Sequence, residues 1–156
     1  MKIYLAGPFF NDKEREIKAH VKAHLEEILR AHPQYKLCDP QTAACVDSWE
    51  QPNCNWGRKV FIKDKILLDD CDIVIAIDWG LYGDCGTAWE IGYAFGQNKR
   101  ILVIVPDETL TTPHSVMVAN GSDNFVTLSR FLKSDEFSTL INNADKPFFA
   151  AGVEQK

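Results

Sequence analysis

A chain of 156 residues, 46% of them apolar, has material for one hydrophobic core and too little for two, so a single domain spanning 1–156 is expected. The formal charge of −5 leaves no basic face for a phosphate backbone, which argues against a nucleic-acid polymer as partner but not against single small molecules, which need only a pocket. No apolar run approaches the ~20 residues of a membrane span. The opening MKIYLAG enters a strand-like run with no basic-then-apolar leader, so no membrane partner and a cytoplasmic location are expected.

Lys2 to Ala6 reads as a first strand. Asn11 or Asp12 is placed to cap a helix whose apolar positions Ile17, Val21, Leu25, Ile28 and Leu29 recur at helical spacing and end before Pro33. Tyr35 to Cys38 is a short strand, followed by a polar stretch from Gln41 to Asn55. Val60, Phe61, Asp64, Leu67 and Leu68 predict a helix from about Gly57 to Asp70. The β-branched run from Asp72 to Ile77 has the composition of a strand buried on both faces. A helix from Gly86 to Gln97, a second buried strand from Ile101 to Val105, a short strand from Asn124 to Thr127 and a last helix from Ser134 to Asn142 complete the order. Strands alternating with helices predict an α/β domain whose five-stranded, mostly parallel sheet carries helices on both faces. Ligands of such sheets bind beyond the carboxyl ends of the strands. Those ends are followed here by AGPFFND, DWGLYGDCGTAWE and PDETLTTPHSVM.

The second of these segments carries the most chemistry. Gly86 and Ala88 are small enough for a ligand to approach the backbone, and Glu90 falls about one turn into the following helix. There the helix dipole would keep a carboxylate ionised and ready as a nucleophile, although acids are also common in first helical turns for stability alone. Asp84, at the rim of the loop, is suited to accept hydrogen bonds from sugar hydroxyls or to stabilise an Asx-type turn beside Gly83. Asp64 lies among Lys63, Lys65, Asp69 and Asp70 on what is either a solvated face or the stripe of Val60, Phe61, Leu67 and Leu68.

The remaining candidates are weaker. The glycines lack the spacing of dinucleotide or triphosphate loops. His20, His24, His32 and His114 are scattered; His20 and His24 share a helical spacing without a third ligand. Five cysteines (Cys38, Cys45, Cys54, Cys71 and Cys85) contain no CxxC pair, so thiols and no metal or cofactor are expected. Trp49, Trp56, Trp79, Trp89 and the Phe9-Phe10 pair suit base stacking, a core or a subunit interface equally.

Three segments together, Tyr4-Leu5-Ala6-Gly7-Pro8-Phe9-Phe10, Asp72-Ile73-Val74-Ile75-Ala76 and Asp84 to Ala94, resemble the nucleoside 2'-deoxyribosyltransferases in order and spacing. The resemblance implies a flavodoxin-like fold and retaining transfer of 2'-deoxyribose between bases through a covalent deoxyribosyl-enzyme, with side hydrolysis and without cofactor. It implies Glu90 as nucleophile, Tyr4 as the hydroxyl that orients it, Asp64 as the acid near the departing base and Asp84 as the partner of the 5'-hydroxyl. Gly7, Phe9, Gly86, Ser115 and Met117 are placed around the substrate. The partners implied are 2'-deoxynucleosides and free nucleobases, with a homo-oligomer, dimer to hexamer, that shares its active sites. Two departures stand out. Ser115 occupies the place of a family Asn two residues before Met117, which is more like the related 2'-deoxynucleoside 5'-monophosphate N-hydrolases. Against that alternative, the Gly7-Pro8-Phe9-Phe10 loop has no arginine to hold a phosphate. The C-terminus, Gly152 to Lys156, is polar and lacks the aromatic end some transferases place in a neighbour's site.

Overall fold

The computed structural model describes residues 1–42 and 53–133. The expected helix at Ser134–Asn142 and the polar C-terminus lie outside the described residues, as does Trp49. The described chain runs β1 (Lys2–Ala6), α1 (Asp12–Arg30), β2 (Lys36–Cys38), α2 (Asn53–Asp70), β3 (Ile73–Ile77), α3 (Cys85–Gly96), β4 (Arg100–Val105), α4 (Val116–Asn120), β5 (Asn124–Thr127) and α5 (Leu128–Leu132). All five strands pair in parallel, in the order β2-β1-β3-β4-β5. The order reverses between β1 and β3, the flavodoxin-like pattern that opens a crevice at the carboxyl ends of those two strands.

Alternation along the strands distributes the core between two faces. Ile3, Leu5, Ile73, Ile75 and Ile77 pack against Ile17, Val21 and Leu25 of α1 and Phe131 of α5. Tyr4, Ala6, Val74 and Ala76 face Leu68 of α2, Ile91 and Ala94 of α3, and Val118 and Ala119 of α4. Burying one such aliphatic side chain is worth about 1.5–3 kcal/mol, so the β-branched strands largely fix the sandwich.

Local signals set most boundaries. Asn11 begins α1 with a capping box: its side chain accepts from the Glu14 backbone N–H at 2.9 Å, and Glu14 Oε2 reaches back to the Asn11 N–H at 3.3 Å. Arrest of α3 comes from Asn98 in the left-handed region (φ 55°), with the N–H groups of Asn98 and Lys99 returning to the carbonyls of Phe95 and Ala94. Helix α2 begins at Asn53, four residues before the expected Gly57. Neither α4 nor α5 is expected from the sequence, because five residues are too few to display a helical period. No helix among the described residues is long and apolar enough to cross a membrane.

Candidate active site

The Tyr4 side chain leaves β1 on the face shared with α3, fully buried, and its hydroxyl donates to Glu90 Oε1 at 2.5 Å. Glu90 is the sixth residue of α3, beyond the first turn in which a helix dipole acts strongly. The expectation that the dipole keeps it ionised is therefore corrected. Burial dominates and pushes the Glu90 carboxyl up to about 7; the Tyr4 hydrogen bond works in the opposite direction, and the nearby charges of Asp64 and Asp84 add to the rise. Tyr4 itself is raised well above the ordinary phenol range, first by burial and then by Glu90, so it remains a hydrogen-bond donor.

Asp64 is half-buried on α2, and desolvation raises its carboxyl against the opposing pull of Lys63 and Lys18. It therefore belongs to the inner stripe of its helix and not to the solvated face. Asp84 is the N-cap of α3: its Oδ2 accepts from the Thr87 backbone N–H at 2.8 Å and from the Thr87 hydroxyl at 3.0 Å. The turn-stabilising role is thus observed, while Oδ1 has no hydrogen-bond partner among the described residues. A Cβ on Gly86 would lie 2.9 Å from Asp84 Oδ2, so glycine there makes room for the cap. Gly7, at φ +148°, adopts a backbone conformation that side chains disfavour, and a Cβ on it would meet the Ile77 side chain at 3.1 Å. The loop after β1 is thereby pressed onto the end of β3.

Ser115 precedes α4 with no side-chain capping bond, and Met117 is 83% exposed. The aromatics divide: Trp89 stacks on Tyr93 at 5.0 Å and leans on Phe61 at the surface of α2 and α3, Trp79 packs against the core, and Phe9 stacks on Phe10 beside the site. Among the described residues no three His, Cys, Asp or Glu side chains are grouped to hold a metal.

Several polar groups near the crevice are not anticipated by the sequence reading. Lys18, 3% exposed, directs Nζ to the Gly7 carbonyl at 3.3 Å and sits 3.5 Å from Asp39 Oδ1, with the Phe9 ring beneath it at 5.1 Å. The signal was available, since Lys18 lies three and seven residues before Val21 and Leu25 on the buried stripe of α1. Although the Gly7–Phe10 loop holds no arginine of its own, Arg15 reaches it from α1, donating to the Phe9 carbonyl at 3.0 Å while paired with Asp12 at 2.6 Å. Across the crevice, buried His114 bonds Asp78 Oδ2 through Nδ1 at 2.7 Å and contacts the Thr109 carbonyl through Nε2 at 3.2 Å. This ties the loop after β4 to the end of β3; no spacing in the sequence announces it.

Fold and site together define a flavodoxin-like domain with a tyrosine-held carboxylate and a second, raised carboxyl at the switch in strand order. The profile of the family described as Nucleoside 2-deoxyribosyltransferase matches residues 3–143, and the chain belongs to that family. It is 30% identical over 83 residues to a nucleoside deoxyribosyltransferase of Lactobacillus leichmannii, a match covering 53% of this chain and 52% of the relative. It is 25% identical over 80 residues to one of Lactobacillus johnsonii, covering 51% and 54%. The matches thus span about half the length of these curated relatives. Among solved structures, a 2-deoxyribosyltransferase of Bacillus psychrosaccharolyticus superposes with a TM-score of 0.65 at 26% identity, over 92% of this chain and 98% of that one. A CMP N-glycosidase of Clostridium botulinum shares the fold at 16% identity and a TM-score of 0.53, over 85% and 96%.

Proposed function

We propose that this protein transfers 2'-deoxyribose from one nucleobase to another through an ester on Glu90, with water intercepting part of the intermediate. The observation that carries the reading is the 2.5 Å bond from Tyr4 to Glu90 Oε1, which fixes one carboxylate oxygen and leaves the other to attack. That oxygen bonds to C1' as the C1'–N bond breaks, and the electron pair passes to the base nitrogen, which takes a proton from Asp64. An incoming base then attacks C1' through a ring nitrogen, its N–H proton passes to the Asp64 carboxylate left by the first step, and Glu90 departs as carboxylate. Two inversions give net retention, the logic of retaining glycosidases. Burial that raises Asp64 suits it to carry the proton. Asp84 Oδ1 is available for the 5'-hydroxyl.

A second copy of the chain completes the site in this reading. Leu81, Phe95, Val116 and Met117 are all more than half exposed around α3 and the start of α4, an apolar surface that oligomerisation would cover, with Ser115 beside it. Sedimentation is expected to show a dimer or larger.

Thymidine with adenine is the discriminating mixture. Deoxyadenosine as product supports transfer, whereas free deoxyribose alone makes the protein a hydrolase. Intact-protein mass spectrometry with a slow deoxynucleoside should show a deoxyribosyl adduct on the peptide carrying Glu90, absent in Glu90→Ala; an adduct elsewhere refutes the nucleophile. Asp64→Asn should slow substrates with poor leaving bases more than an activated nitrophenyl deoxyriboside. A clear preference for thymidine 5'-monophosphate, lost in Ser115→Ala, would instead favour nucleotide N-hydrolysis.

A further inference from the structure

We propose that His114 is a positioning residue for recognition of the sugar's 5' end, acting through Asp78 and the turn that follows it to hold Asp84 in place. This rests on the reading above in which Asp84 accepts from the 5'-hydroxyl.

The buried pair of His114 and Asp78 takes no part in the chemistry at Glu90, yet it fills the inside of the loop that delivers Asp84. Asp78 follows β3 directly, and its backbone N–H donates to the Ile104 carbonyl of β4 at 3.0 Å, so its main chain is still fixed to the sheet. The chain then makes one tight turn, Gly80–Tyr82, closed by the Gly83 N–H on the Gly80 carbonyl at 2.7 Å, and Asp84 comes next as the cap of α3. Both glycines of this turn are pressed onto the loop after β4 or onto the pair itself. A Cβ on Gly80, which has φ +68°, would lie 2.9 Å from the Pro113 carbonyl and 3.1 Å from the His114 ring. A Cβ on Gly83 would lie 3.0 Å from Asp78 Oδ1, while Oδ2 of the same carboxylate is bonded to His114 Nδ1 at 2.7 Å. The ring is held from its other side, where Nε2 meets the Thr109 carbonyl at 3.2 Å and Phe125 of β5 lies edge-on at 5.4 Å. Groups packed this closely transmit a displacement to one another. A buried polar pair adds little stability over apolar packing of the same volume, so what it fixes is the spacing between the loops after β3 and β4. Thr87 orients the Asp84 carboxylate on α3, and the turn packed on His114 sets where that carboxylate stands in the crevice.

Base release from thymidine and deoxyadenosine, each compared with its 5'-deoxy analogue, measures 5'-hydroxyl discrimination whether a base or water captures the sugar. A hydroxyl donating to a carboxylate should favour the parent nucleosides at least about tenfold in kcat/KM, and Asp84→Ala should erase that preference. His114→Phe keeps the ring's shape against Phe125 and removes both nitrogens. It should cut the preference about fivefold through KM for the parent nucleosides, with the 5'-deoxy analogues changed less than about twofold. His114→Asn, whose amide can donate from near the Nδ1 position, should recover part of the preference. In an Asp84→Ala background His114→Phe should leave the ratio where it was, the coupling expected of residues that act on one contact. If His114→Phe does not fold, as a buried carboxylate stripped of its partner invites, Asp78→Asn keeps the shape and a weaker Nδ1 bond and should lower the preference about threefold. Equal losses on parent and 5'-deoxy nucleosides, or an unchanged ratio in the His114 and Asp78 variants, reduce His114 to a structural role and overturn the proposal while Asp84 stands. A wild type without the preference, or an Asp84→Ala that keeps it, overturns the Asp84 reading and the proposal with it. Absence of base release from every nucleoside overturns both together with the proposed reaction.

Discussion

Removing the Tyr4 hydroxyl isolates the contact on which the mechanism turns. Tyr4→Phe keeps the buried ring among Ala6, Leu68 and Val74 and deletes only the donor to Glu90 Oε1. A hydrogen bond to a charged partner is worth about 1.5–3 kcal/mol, and about 1.4 kcal/mol corresponds to a tenfold change in proton affinity. Glu90, already held at about 7 by burial, should therefore move a further one to two pH units upward, to about 8–9. About half of the wild-type carboxylate is ionised at pH 7; in the variant roughly 1–10% would be, so kcat/KM at pH 7 should fall about 5- to 50-fold. Much of the loss should be recovered at higher pH. The assay is the pH dependence of kcat/KM for base exchange, with circular dichroism to confirm the fold. An acid limb that stays in place, or a loss of equal size at every pH, refutes the electrostatic role of the hydroxyl and leaves it at most an orienting group.

Glu90→Gln should abolish exchange and stabilise the fold at neutral pH. The folded Glu90 binds its proton more tightly than the unfolded one, so its contribution is intact below about pH 4.5 and is lost as pH rises through about 7. The variant should gain up to about 3 kcal/mol at pH 8, seen as a higher Tm, and almost nothing near pH 4; equal gains at both pH values would contradict the assignment. Asp84→Ala should lower stability by about 1 kcal/mol through the lost cap and weaken substrates bearing a 5'-hydroxyl more than 5'-deoxy analogues. Asp84→Ser restores a capping oxygen, so recovered Tm without recovered 5'-hydroxyl discrimination separates the two roles, and recovery of both would merge them.

The strands and long helices were legible in the sequence because their signals are local. Ile73 to Ile77 are β-branched or small throughout, α1 repeats apolar residues at a helical period behind a capping box, and Asn124–Thr127 lies where expected. The same local patterns put Tyr4 on the first strand, Asp64 on the helix before β3 and Glu90 on the helix after it, with Asp84 in the loop between. What those groups do to one another required the tertiary structure. Tyr4 and Glu90 lie 86 residues apart and meet only because β1 and α3 contribute to the same face of the sheet's core. Desolvation, which raises Glu90 to about 7, depends on every side chain packed around it and overrides the helix dipole that the sequence position suggested. The same holds for Lys18 of α1 with Asp39 after β2, and for Asp78 after β3 with His114 after β4, pairs that no local pattern in the chain announces. A residue's type and period are fixed by its neighbours in sequence, whereas its charge state and partners are set by what surrounds it in space.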